Sequence, residues 1–467
     1  MNKQLGVLLP IFSLPGNEGI GSFGKSAFEL VDKLSDCGFE IWQVLPLNAL
    51  NKDYSPYSSI SSYAGEEMYI SLERLVELGL LDDYEKIENT GNVNYDEARA
   101  YKTKYLQKAY QNFTPEHQYY AQFQEYKKTA KWLDSYSTFA ALYHQNGEKA
   151  WNEWTVQEVD KEIKDYEAFK QYLFYRQWYE LKKYAFDHNI TIMGDLPFYI
   201  GYNSQDVWEH QDYFLLDPTT LKPTHVSGVP PDYFNEDGQR WDHPIYDWDK
   251  MKENHFDYWT DKIIQATELY DLLRLDHFRA FDTFWKIDVN GKGARVGEWI
   301  EAPGDEFLGQ LFKEYPNIQL VAEDLGELRK EVLELKDKYK LDGMRCFQFS
   351  INDLEKGKQP HNIVFYTGTH DNDTIMGWYN GLVDNEKRRV LKLLKLNALP
   401  LHLRMVQFVF DFDCPRAVVP MQDLLGLGNE TRINAPGTMG NFNWSFRFKD
   451  FDAFEAAIPQ IKQITKK

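Results

Sequence analysis

Eight short apolar runs, each closing on polar or glycine residues, constrain the fold more than any other feature of the chain. They cover residues 6–12, 39–47, 190–200, 271–278, 318–326, 343–350, 362–371 and 417–425. Several show little alternation, which is the pattern of strands buried on both faces. Helical periodicity falls between many of them. Residues 26–38 open on a Ser N-cap and stop at Gly38, and residues 256–270 and 327–340 each lead into a further strand. Strand–helix alternation repeated eight times predicts an α/β chain closed as a parallel (β/α)8 TIM barrel. A doubly wound open sheet is the rival, but no G-x-G-x-x-G follows the first strand.

Two connections are too long for a bare barrel. Residues 48–189 read as a mostly helical insertion, Tyr- and Lys-rich over 96–183, and residues 201–270 read as loop-rich. Both are expected at the carboxyl face, where barrel enzymes build their sites, within one domain spanning 1–467. The net charge of −20, from 52 Lys plus Arg against 72 Asp plus Glu, repels phosphate backbones and anionic lipid. Nucleic acid and membrane surfaces are therefore excluded as partners. Cys37, Cys346 and Cys414 lack metal spacing and suit a reducing compartment. With no signal peptide and no apolar stretch near about 20 residues, the expectation is a soluble, cytoplasmic monomer. Aromatic residues make up 16% of the chain. Most are explained as core filler, and a sugar ring that stacks on aromatic faces is the sharper reading.

The runs end in acids. Asp195 closes the third, Asp276 the fourth, Glu323 with Asp324 the fifth and Asp371 the seventh. In a barrel these side chains converge over one axial pocket, where like charges raise one another's pKa values and destabilise the fold. Glycosidic bond cleavage uses such a set, with one carboxyl donating a proton and another staying ionised. Arg274 shares a strand face with Asp276 and is expected to lower its pKa, which makes Asp276 the nucleophile and leaves Glu323 as the acid/base. Asp371, beside His370, is then placed on sugar hydroxyls. Mixed ligation of a metal by His277 and Asp276, or by His370, Asp371 and Asp373, is the alternative. No H-E-x-x-H, paired-Cys or EF-hand pattern supports it, and neither metal nor cofactor is expected.

LRLDHFRAF (273–281), VAEDLG (321–326) and TGTHDNDT (367–374), in this order, resemble the signature segments of the 4-α-glucanotransferases, also called amylomaltases or disproportionating enzymes. So do GIGSFG (19–24), WQVLPL (42–47), YSPYSSISSYAG (54–65), MGDLPFYI (193–200), GVPPDYFNEDGQRW (228–241), RINAPGT (432–438) and NWSFR (443–447). The resemblance implies a retaining double displacement on maltooligosaccharide and α-glucan donors and acceptors. It makes Asp276 the covalent nucleophile, ranks Glu323 over Asp324 as acid/base, and makes Asp371 the transition-state stabiliser. It carries over Arg274, His370, Tyr57, Asp195, Asp232 and Trp241 as substrate contacts; from the residues alone, ordinary packing is the preferred reading of Tyr57 and Trp241. Two departures stand out: DHP (242–244) where the family often has Gly-Asn-Pro, and Phe446 where a Trp is frequent. A glucan hydrolase and a non-catalytic glucan-binding protein remain open alternatives.

Overall fold

The computed structural model describes residues 3–231, 236–357, 360–438, 440 and 442–465. Eight parallel strands form the central sheet: β1 (Gln4–Leu8), β2 (Ile41–Gln43), β3 (Thr191–Leu196), β4 (Leu272–Leu275), β5 (Leu320–Ala322), β6 (Gly343–Cys346), β7 (Ile363–Tyr366) and β8 (Arg416–Pro420). Their order in space follows the chain, with β8 beside β1. The ring closes between β5 and β6, where Val321 forms a parallel bridge to Asp342 and Ala322 N donates to Asp342 O at 2.8 Å. This is the (β/α)8 TIM barrel that the alternation predicts.

Leu8, Ile41, Met193, Leu272, Val321, Met344, Cys346, Val364, Tyr366 and Val418 form one buried cluster inside the ring. The opposite strand faces pack against the surrounding helices in a second, larger core. Side chains alternate along a strand. Inward-facing Met193 therefore fixes Asp195 as inward, Leu272 fixes Arg274 and Asp276, and Val321 fixes Glu323.

Local differences from the sequence reading have simple causes. The helix after β1 runs Lys25–Cys37; its N-cap is Gly24 without a side-chain bond, so Ser26 lies inside the helix. Gly38 ends it at φ 83°, a left-handed conformation that glycine adopts without a Cβ clash. The run 343–350 splits, because β6 ends at Cys346 and Phe347–Glu355 is helical. Asp371 is not at a strand end; β7 stops at Tyr366, and Asp371 stands on the loop beyond.

Between β2 and β3 lie the helices Tyr95–Asn112, Tyr120–Thr129, Leu133–Gln145 and Lys161–Asp187. The last begins on Asp160, whose carboxylate accepts from Glu162 N and Ile163 N. It braces the loop that carries Tyr57: Gln171 exchanges bonds with Gly65 at 2.8 and 3.0 Å, and Tyr175 OH donates to Tyr63 O at 2.5 Å. The stretch 201–270 is less loop-like than its composition implies. It supplies the antiparallel strands His225–Val229 and Gln239–Pro244, which join Thr283–Asp288 and Glu298–Glu301 from the β4–β5 connection in a four-stranded sheet. Among the described residues, no helix is long and apolar enough to cross a membrane.

Candidate active site

Strand alternation delivers Asp195, Arg274, Asp276 and Glu323 to the carboxyl mouth of the barrel. Arg274 and Asp195 are buried, at 4% and 1% exposure. Arg274 Nη1 lies 2.7 and 2.6 Å from the two Asp195 oxygens and 3.0 Å from Asp276 Oδ1. Asp195 Oδ2 also accepts from Tyr57 OH at 2.7 Å. The same hydroxyl meets His370 Nε2 at 2.9 Å, and the Tyr57 and His370 rings stack 5.2 Å apart. His370 Nε2 lies 3.4 Å from Asp371 Oδ2. One continuous polar chain thus runs from Asp276 through Arg274, Asp195, Tyr57 and His370 to Asp371.

Glu323 closes the other side. Its two oxygens accept from His277 N and Leu325 N, each at 2.9 Å. Asp324, of opposite strand parity, points away from the mouth. Its Oδ1 accepts from Met344 N at 2.6 Å and its Oδ2 pairs with Lys336 at 3.1 Å. Geometry therefore separates two adjacent acids that the residues alone leave equivalent.

The electrostatics correct one expectation. The spacing of Arg274 and Asp276 predicts a lowered Asp276 pKa, whereas the carboxyl is pushed up to about 7. Burial is the largest cause, and the charges of Asp195, Glu323 and Asp371 add to it against the pull of Arg274. Arg274 also divides its charge, with its shorter contacts going to Asp195. Glu323 is raised as well; burial outweighs Arg274 and the two amide bonds. Asp371 goes the other way. Burial works to raise it, but His370, Asn434 and Arg274 prevail and hold it at about 2. The site therefore sets two carboxyls of raised pKa beside one that is firmly ionised.

Trp241, on the strand Gln239–Pro244, stands edge-on to His277, the residue after Asp276, with ring centroids 5.0 Å apart. Asp232 lies outside the described residues. Sequence reasoning missed three residues of the site. Asn434 Nδ2 donates to Asp371 Oδ1 at 2.7 Å, Arg432 Nη2 donates to Asp371 O at 2.6 Å, and Trp444 packs 5.7 Å from Tyr57 and 5.9 Å from His370. The motifs RINAPGT and NWSFR were the available signal, but they named no partner. His277 has φ 48°, left-handed for a residue with a Cβ, and this turn aims its backbone N–H at Glu323.

A parallel barrel with acids gathered at the carboxyl ends of its strands has the layout of a barrel enzyme. The chain belongs to the 4-alpha-glucanotransferase family, whose profile matches residues 9–453. It is 41% identical to the 4-alpha-glucanotransferase of Clostridium butyricum, over 94% of this chain and 95% of that one. It is 36% identical to the 4-alpha-glucanotransferase of Aquifex aeolicus, over 95% and 96%. The amylomaltase of Streptococcus agalactiae, solved in complex with acarbose, superposes with a TM-score of 0.95 at 32% identity, over 99% of both chains.

Proposed function

We propose that this enzyme transfers α-1,4-glucan segments between maltooligosaccharides by a retaining double displacement through a covalent glycosyl-enzyme. The observation that carries the reading is the bonded chain from Asp276 through Arg274, Asp195, Tyr57 and His370 to Asp371 at the barrel mouth, with Glu323 held on the His277 N–H beside it. In the first step the Asp276 carboxylate attacks the anomeric carbon and Glu323 gives its proton to the departing glycosidic oxygen. In the second, an acceptor hydroxyl attacks the same carbon, Glu323 takes the acceptor's proton, and the bond to Asp276 breaks. Two inversions leave the α configuration intact.

Burial raises both carboxyls, which favours a proton on Glu323 for the departing oxygen. Arg274, 3.0 Å from Asp276, favours the ionised form there. Asp371, held ionised, stabilises the positive charge that develops on the sugar ring. Tyr57, His370, Asp195 and Arg274 line the cleaved sugar, and Trp241 gives a stacking face on the leaving-group side. Transfer outcompetes hydrolysis when the acceptor is held and water excluded; oriented groups reach effective concentrations of about 10⁵ M or more. The three cysteines are free and buried. Cytoplasmic residence and a monomeric state complete the reading.

Incubation with pure maltotriose tests it. Glucose with a ladder of longer chains is expected; glucose and maltose without longer products means hydrolysis. Glu323→Gln should lower turnover by roughly 10³-fold or more while maltotriose binding persists. A non-catalytic glucan-binding protein would show no turnover for the variant to lose, and an active enzyme unaffected by Glu323→Gln would remove Glu323 as the acid/base.

A further inference from the structure

The loop that bears His370 and Asp371 follows β7 and ends where the helix Ile375–Gly381 begins. One side chain is bonded to both of its ends. Thr367 Oγ1 donates to Asp423 Oδ2 at 2.5 Å, and Ile375 N donates to Asp423 Oδ1 at 2.7 Å. Asp423 stands on the short helix Met421–Leu424 directly after β8, and it is 1% exposed. We propose that Asp423 is a positioning residue for glycosyl transfer: it staples the exit from β7 to the entry of the next helix and so fixes where His370 and Asp371 stand against the sugar. The inference rests on the roles given to those two residues above.

Other contacts brace the loop between the staples. Gln348 Nε2 donates to Asp373 O at 2.7 Å, and Asn372 Oδ1 accepts from Thr369 N at 2.8 Å. Asn429 Oδ1 accepts from Thr374 N at 3.0 Å. Gln348 also spans the loop, with its backbone N 3.4 Å from Thr367 O, but Asp423 reaches both ends through one buried side chain. Its work is done by hydrogen bonds rather than by charge. Burial pushes its carboxyl up to about 7, and the bonds from Thr367 and Ile375 only partly offset that rise. An asparagine can keep both links, with its oxygen accepting from Ile375 N and its amide donating to Thr367 Oγ1. Alanine loses both and strands a buried backbone N–H.

The test compares wild type, Asp423→Ala, Asp423→Asn, Thr367→Val and the Asp423→Ala/Thr367→Val double variant. Maltotriose kinetics, acarbose affinity and thermal unfolding are measured for each. Asp423→Ala is expected to lower kcat by about 10–100-fold, the cost of misplacing reacting groups by an ångström, with KM shifted by less than about threefold. Acarbose affinity falls with kcat. Asp423→Asn returns kcat to within about threefold of wild type, because geometry and not charge is restored. Thr367→Val shows part of the loss and adds little in the Asp423→Ala background. A merely structural residue would lower the melting temperature and leave kcat per folded molecule unchanged; that result overturns the proposal, as does an Asp423→Asn as impaired as the alanine. If Asp423→Ala does not fold, a Thr367→Val enzyme with unchanged kcat overturns it instead. A wild type that makes no ladder removes the transfer reading and this inference with it, whereas a normal ladder with an indifferent Asp423 removes the inference alone.

Discussion

Asp276 illustrates how a functional side chain sets catalysis against stability. Its carboxyl rises from 3.8 to about 7 on folding, so the folded state binds its proton more tightly than the unfolded chain does. The sign follows. Stability present below pH 4 is lost as pH rises through about 7 and the buried acid must ionise. The tighter proton binding corresponds to at most roughly 4 kcal/mol, and to less because the side chain is 27% exposed. Asp276→Asn should therefore abolish transfer yet stabilise the fold by about 1–3 kcal/mol at pH 8, with a smaller gain at pH 5. Arg274 is not orphaned by the change, since both Asp195 oxygens remain on it. Urea unfolding at the two pH values checks this; a pH-independent difference, or a less stable variant at pH 8, contradicts it. The pattern of acids was legible in the sequence, but its electrostatics were not. Two residues of spacing put Arg274 on the right face of β4 without revealing that Asp195 would take its closest contacts. Asn434 was out of reach for the same reason: its bond to Asp371 crosses 63 residues of chain, and no local periodicity encodes such a pair.

At the scale of elements, the barrel strands were readable because burial on both faces leaves continuous apolar runs bounded by polar residues. The side sheet was not. The strand Gln239–Pro244 carries Gln239, Arg240, Asp242 and His243, and it is held by its neighbour His225–Val229, which pairs in turn with Thr283–Asp288 from the β4–β5 connection, rather than by its own hydrophobicity. Phe347 was misread for a related reason: a short apolar run fits either a strand or the first turn of a helix. The helical excursion after β2 acts on the site through its bonds to the Tyr57 loop and through a close steric contact. A Cβ on Gly65 would lie 2.2 Å from Phe174 Cε1, so only glycine lets the Tyr57 loop settle on the helix Lys161–Asp187. Gly65→Ala should push the loop away, strain its bonds to Gln171 and draw Tyr57 OH off Asp195. The expected results are a stability loss of about 1–3 kcal/mol and a raised KM for maltotriose. Pairing it with Phe174→Leu makes room at the ring and should recover part of both effects. Measured unfolding and kinetics that show the two substitutions simply adding would count against this account of the contact.

The whole molecule is closed by its last segment, which returns to the first. Buried Arg447 donates from Nε to Leu14 O at 3.0 Å and from Nη2 to Ile20 O at 3.1 Å, and Phe448 N donates to Ser13 O at 3.0 Å. Just before it, Trp444 packs on Tyr57 and His370, so the same stitch also walls the site. Just after it, the helix Asp452–Thr465 lies along Lys25–Cys37 and buries Phe454, Ile461 and Ile464 to 1% exposure or less. Thr465 Oγ1 donates to Cys37 O at 2.7 Å. Two ion pairs cross the same seam, Lys33 with Glu455 and Lys462 with Asp36. The pairs are partly exposed and contribute less than about 1 kcal/mol each. The three apolar side chains dominate, at about 1.5–3 kcal/mol apiece, or on the order of 5–9 kcal/mol together. A fold of ordinary stability has only about 5–15 kcal/mol in total. Removal of residues 452–467 should therefore leave a barrel that unfolds or aggregates at physiological temperature, although every proposed catalytic residue is retained. Ile461→Ala gives a graded version, with a loss of about 2–4 kcal/mol and unchanged KM, whereas Lys462→Met should stay within about 0.5 kcal/mol of wild type. Chemical unfolding of the three proteins decides between the contributions. A truncated chain that melts cooperatively within a few degrees of the full-length enzyme would show that the barrel holds without its closing helix.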